Sequence, residues 1–139
     1  MKEAKGLHIK LPARAENLSV IRRDVAAHAE KLGMIAVNIV DLKTVVSEAC
    51  ANVVRHAYED REGEGPLEVE LSAEEGEVSL VVRDFGAGIC PQPNSDTPSL
   101  RMGLPVIGVL SKSFLLSSTR GKGTELTIKL ALGALGLTG

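Results

Sequence analysis

Glu77-Val78-Ser79-Leu80-Val81-Val82-Arg83-Asp84-Phe85-Gly86-Ala87-Gly88 is the stretch on which the architecture turns. The run from Glu77 to Arg83 has the β-branched, apolar composition of a strand, and it ends on a carboxylate followed by glycines at alternate positions. Asp84 at a strand end can accept a hydrogen bond from the exocyclic amino group of an adenine-type ring. Gly86 and Gly88 let the backbone approach a ligand and adopt dihedrals closed to other residues. The same residues are also ordinary turn chemistry, so their meaning depends on the residues around them.

Upstream, Leu67 to Leu71 and Val78 to Val82 form a hairpin joined through Glu74-Glu75-Gly76. Downstream, Phe114 to Ser118 and Thr124 to Leu130 form a second, turning at Thr119 to Gly123. Leu7 to Leu11 alternates as a first strand ending near Pro12. Ala15 to Leu32 reads as a helix, with Leu18, Ile21, Val25, Ala29 and Leu32 on one side and a stop at Gly33. The strongest helical signal runs from Asn38 to Tyr58. There Leu42, Val45, Val46, Ala49, Cys50, Val53, Val54 and Ala57 mark the buried face, and Asp41, Lys43, Thr44, Ser47, Glu48, Asn52, Arg55 and His56 the opposite one. A loop with three prolines, Cys90 to Pro98, precedes a short helix from about Met102 to Lys112, and the tail Gly133 to Gly139 is expected to fray. Hairpins enforce antiparallel pairing, and the helices must cover one face of the sheet. The predicted fold is α+β: a two-layer α/β sandwich with a mixed, mostly antiparallel sheet and helices on one face. Residues 1–139 are expected to be a single domain.

Composition narrows the function classes. Aromatics make up only 2% of the chain, and its formal charge is -2, so neither base-stacking platforms nor a basic patch for a phosphate backbone is expected. No direct nucleic-acid partner is therefore predicted. The two cysteines, Cys50 and Cys90, make no disulfide framework, and no His/Cys cluster has zinc spacing. Cys50 is expected to be a small buried residue. No long apolar stretch suggests a signal peptide or membrane span, so a reducing, cytoplasmic setting without membrane attachment is expected.

Glu48 and Asn52 are four residues apart, and their side chains leave the same helix face one turn from each other. The carboxamide oxygen of Asn52 is a hard ligand suited to Mg²⁺, which completes its shell with water and phosphate oxygens. Glu48 can accept a proton from an attacking hydroxyl. Equally, the pair can be part of a solvated helix face, and His56 one turn on can simply cap or pack. Gly121-Lys122-Gly123-Thr124 is either a plain hairpin turn or a place where Gly123 allows close approach and the Thr124 hydroxyl bonds a ring nitrogen or a water. Met102-Gly103-Leu104 opens a short helix whose free N–H groups suit phosphates. Neither G-x-x-x-x-G-K-[ST] nor G-x-G-x-x-G occurs.

In their order along the chain, Glu48-Ala49-Cys50-Ala51-Asn52-Val53-Val54-Arg55-His56-Ala57-Tyr58, Asp84-Phe85-Gly86-Ala87-Gly88-Ile89 and Gly121-Lys122-Gly123-Thr124 resemble the three nucleotide motifs of the gyrase, histidine-kinase and heat-shock-chaperone ATPase superfamily. The compact length and the Val-Val-Ser-Glu-Ala run before Asn52 resemble the stand-alone bacterial anti-sigma-factor serine/threonine kinases. The resemblance extends from the first strand to Leu130 and implies a histidine-kinase-like ATPase fold binding ATP and Mg²⁺. It implies Glu48 as catalytic base, Asn52 as magnesium ligand, Asp84 as adenine contact with Gly86 and Gly88 beside it, Gly103 at the end of the lid, and Gly123 with Thr124 near the adenine. It further implies a homodimer that sequesters a sigma factor and phosphorylates an anti-anti-sigma factor on serine.

One departure is Arg101, where such proteins usually carry glycine; Pro105 follows in the expected first helical turn, and the lid from Cys90 to Leu100 is short. Arg101 either supplies a cation to the terminal phosphate or occludes the site. The second case implies a catalytically weak or inactive protein-binding switch that sequesters a regulator, with nucleotide structural or absent.

Overall fold

The computed structural model describes residues 6–58, 65–86, 104–119 and 122–133. Along the chain run β1 (Leu7–Pro12), a 3₁₀ turn (Ala15–Asn17), α1 (Leu18–Lys31), α2 (Ala36–Asn52), a π-helical turn (Val53–Ala57), β2 (Pro66–Glu74), β3 (Glu77–Asp84), α3 (Leu104–Leu110), β4 (Ser113–Thr119) and β5 (Gly123–Ala131). Five strands make one sheet in the order β1-β2-β3-β5-β4, with every neighbouring pair antiparallel. The α+β sandwich is as expected, but among the described residues the sheet has no parallel pair where a mixed one was predicted. The connections explain this. Two helices, not one, separate β1 from β2, so the chain returns in the opposite direction, and the crossover through α3 leaves β5 between β3 and β4.

Register puts the apolar columns on one face. Val69, Val82 and Leu126 lie side by side, as do Leu71, Leu80 and Ile128, and all are buried. Ile21, Val25 and Ala29 of α1 and Leu42, Val45, Val46 and Ala49 of α2 cover them. Aliphatic burial on this scale is the main stabilising term in a chain so poor in aromatic residues. The outer face is polar. Arg83 lies 2.6 Å from Glu70, 3.6 Å from Glu68 and 3.4 Å from Glu125, and His8 bonds Glu68. His8, Glu68 and Glu70 converge closely enough to suggest a cation site, but the Arg83 guanidinium already compensates their charge.

Helix ends are fixed locally. Gly33, at φ +97, closes α1 in a Schellman arrangement, with Met34 N–H on Ala29 O at 3.0 Å and Gly33 N–H on Glu30 O at 3.1 Å. The start of α2 is tied to the end of β5: Asn38 Nδ2 donates to Ala131 O at 3.0 Å and to Gly133 O at 2.8 Å. Gly133, the first residue of the tail expected to fray, is thus anchored, and residues 134–139 lie outside the described residues. The helix predicted from Asn38 to Tyr58 is α-helical only to Asn52 and then widens by one π-helical turn.

The β2–β3 hairpin turns on two residues, Glu75 at φ 52 and Gly76 at φ 81. Two positive φ values give the twist that suits an antiparallel hairpin, but glutamate is a poor occupant of the left-handed region. Glu75→Asn should raise the unfolding free energy by about 0.5–1 kcal/mol, read as a higher urea midpoint with unchanged slope. A lower midpoint would contradict strain at this turn.

Candidate functional site

The buried columns end in polar residues at one edge of the helix-covered face. Asp84 is 7% exposed, Thr124 8%, and they are direct partners across β3 and β5, with Leu67 on the other side of Asp84. The Gly86 N–H donates to Asp84 Oδ1 at 3.0 Å. Ser118, opposite Thr124 on β4, brings its hydroxyl within 3.2 Å of the Thr124 hydroxyl. Burial pushes the Asp84 carboxyl above its usual range, and the backbone N–H groups of Gly86 and Thr124 pull it partly back.

Gly86 and Gly123 have a steric role that the sequence reading did not give them. A Cβ on Gly86 would overlap the Ala57 carbonyl oxygen, and a Cβ on Gly123, at φ +116, would overlap the Asp84 carbonyl oxygen. Both are glycine because backbones meet there. The end of β3 is thereby pressed against the π-helical turn on one side and the start of β5 on the other.

That turn continues α2, which carries Glu48 and Asn52. Glu48 is half-buried. Asn52 differs from its predicted place on the polar face: it is only 1% exposed, and neither its Nδ2 nor its Oδ1 has a hydrogen-bond partner among the described residues. A buried carboxamide with both ends unbonded is an exception in folded proteins, and it costs about 1–3 kcal/mol for each orphaned group. The helical pattern placed Asn52 outward on account of its polarity, whereas it lies on the buried side of the helix with Ala49 and Val53.

Two residues of this region carried no site assignment from the sequence. Ser118 was visible only as a strand residue, and its place beside Thr124 needs the register of the last hairpin. Tyr58 was read as a helix end, yet its hydroxyl bonds both Pro66 O and Phe85 N–H. Gly88, Arg101 and Gly103, with the lid from Cys90 to Leu100, lie outside the described residues, as does the side chain of His56. Cys50 is buried as expected, and burial pushes its thiol up to about 12, which leaves it unreactive. No described helix is long and apolar enough to cross a membrane.

The histidine kinase-like ATPase domain family matches residues 11–130. The chain belongs to this family. Its relatives place it in the anti-sigma-factor serine-kinase branch. It is 34% identical over 134 residues to an anti-sigma F factor of Geobacillus stearothermophilus, across 90% of this chain and 91% of that one. With the anti-sigma F factor of Clostridium kluyveri the identity is 33% over 138 residues, across 93% and 96%. With the serine-protein kinase RsbW of Bacillus pumilus it is 37% over 81 residues, covering 58% of this chain and 50% of that kinase. A solved structure of RsbU and RsbW domains from Mycobacterium tuberculosis superposes with a TM-score of 0.73 at 23% identity, over 92% of this chain and 32% of that longer one, which shows the shared fold.

Two substitutions test the energetics of the site. Asn52→Leu fills a similar volume without the two orphaned groups, so it should raise the unfolding free energy by about 2–6 kcal/mol, about 1–3 for each group. Destabilisation would mean that Asn52 has partners in solution. For Asp84, a carboxyl whose native pKa exceeds its unfolded value loses stability as pH rises between the two. Asp84→Asn should therefore be more stable than the parent at pH 7, with the difference shrinking as pH falls toward about 4 and absent below it. Urea midpoints across pH measure this, and a difference that grows toward acid would contradict it.

Proposed function

We propose that this chain is an ATP- and Mg²⁺-dependent serine/threonine protein kinase that also acts as an anti-sigma factor. It sequesters a sigma factor and phosphorylates a serine of an anti-anti-sigma factor, working in the cytoplasm as a homodimer. The observation that carries this reading is the orphaned carboxamide of Asn52, buried one turn beyond the half-buried Glu48. A core that leaves both ends of an amide unbonded fits a residue whose partner is a ligand. The names of the relatives that align over most of this chain support the same reading.

The residues present fit the cofactor. Asn52 Oδ1 is the kind of neutral oxygen that Mg²⁺ takes beside water and phosphate oxygens. Asp84, at the end of the central strand, offers a carboxylate oxygen to the adenine amino group, and burial makes that hydrogen bond stronger than it would be in water. The Thr124 hydroxyl, on the neighbouring strand, bonds a ring nitrogen or a water next to it. Gly86 and Gly123 hold the strand end in place, and the resemblance assigns Gly88 to the adenine contact beside Asp84 and Arg101 and Gly103 to the end of the lid. Bound ATP and Mg²⁺ supply the transferable phosphoryl group and the charge that steadies it. Glu48 then takes the proton of the partner's serine hydroxyl as that oxygen attacks.

Glu48→Gln keeps the shape of the side chain and removes the base. ATP affinity should be unchanged, and phosphoryl transfer to an anti-anti-sigma factor from the same organism should fall by about 10²–10⁴-fold. Transfer at the parental rate would overturn the assignment of Glu48.

A further inference from the structure

We infer that Tyr58 is a positioning residue that sets adenine recognition, by inserting its hydroxyl into the sheet where the Asp84 loop leaves it. The inference rests on the nucleotide-binding reading above and adds a residue to it. Tyr58 is 7% exposed and follows directly on the π-helical turn. Its hydroxyl donates to Pro66 O at 2.6 Å and accepts from Phe85 N–H at 2.8 Å.

The register explains why those two partners matter. The last pair between β2 and β3 is Leu67 with Asp84, so the next rung would join Pro66 to Phe85. The Tyr58 oxygen takes that rung, bridging a carbonyl and an N–H that would otherwise face each other. The strands are thus held apart at the residue after Asp84, and Phe85-Gly86 turns away from β2. Gly86 N–H then reaches back to Asp84 Oδ1. The Tyr58 ring fills the space that a side chain on Gly65 would need and touches the space of one on Gly86.

A single side chain therefore joins the helix carrying Glu48 and Asn52 to the loop that orients Asp84. Removing the hydroxyl leaves the Phe85 peptide free to rotate, and with it the Gly86 N–H that aims the carboxylate. The expected loss falls on discrimination between adenine and other bases, not on stability alone.

Tyr58 is the only tyrosine in a chain with no tryptophan. Growth on 3-fluorotyrosine therefore places one fluorine on this ring and nowhere else. The fluorine resonance should move on saturation with Mg²⁺-ADP and stay in place with Mg²⁺-GDP. Tyr58→Phe should bind ADP about tenfold more weakly, with a smaller preference for ADP over GDP. A variant with parental ADP affinity and parental preference would overturn the inference while leaving the nucleotide site intact. If the variant does not fold, the labelled parent decides: a resonance unmoved by saturating ADP overturns the inference, and a shifted one supports it. A parent that binds neither ADP nor ATP would overturn the nucleotide reading itself, and this inference with it.

Discussion

A Cβ on Gly123 would overlap the carbonyl oxygen of Asp84, and a Cβ on Gly86 would overlap that of Ala57. This close approach of three backbones is the constraint from which the rest of the site follows. It brings the end of the central strand against the start of β5 on one side and against the end of the long helical segment on the other. Hydrophobic burial assembles the two layers, but the glycines decide how near those layers come at this edge. Because β3 and β5 meet in register, Asp84 and Thr124 become the polar ends of columns that are otherwise aliphatic.

The same edge concentrates groups that a core built for stability alone would avoid. Asn52 keeps a buried carboxamide with no partner among the described residues, and Asp84 holds a carboxyl whose ionisation burial opposes. Both cost folding free energy, and they sit at the two ends of the contact made by the π-helical turn. Features of this kind persist where a ligand completes them. The outer face of the sheet contrasts with it: every carboxylate of the Arg83 network has a partner.

Much of this was legible in the sequence because the signals were local. The three-and-four spacing of Leu42, Val45, Val46 and Ala49 fixed the buried face of α2, and alternation gave the strands. Asp84 and Thr124 stood out by their place at strand ends. What was not legible depended on distant parts of the chain. Pairing of β2 with β3 continues through Ser72 and Glu74, well past the apolar alternation, because backbone bonds do not require apolar side chains. The inward turn of Asn52 contradicts the rule that polar residues face water. The widening at Val53–Ala57 has no local signature; it is visible only through Tyr58 and its partners on β2 and β3. The reason for Gly86 likewise lies with Ala57, a residue remote in sequence.

The most direct measurement is calorimetric titration of the purified protein with ATP and with ADP, each with and without Mg²⁺. The proposed nucleotide site, with Asn52 as metal ligand, predicts that both nucleotides bind and that Mg²⁺ tightens ATP, whose extra phosphate offers the metal more oxygens. Absence of heat and of thermal stabilisation at millimolar nucleotide would contradict it, and the chain would then be a protein-binding switch that works without nucleotide.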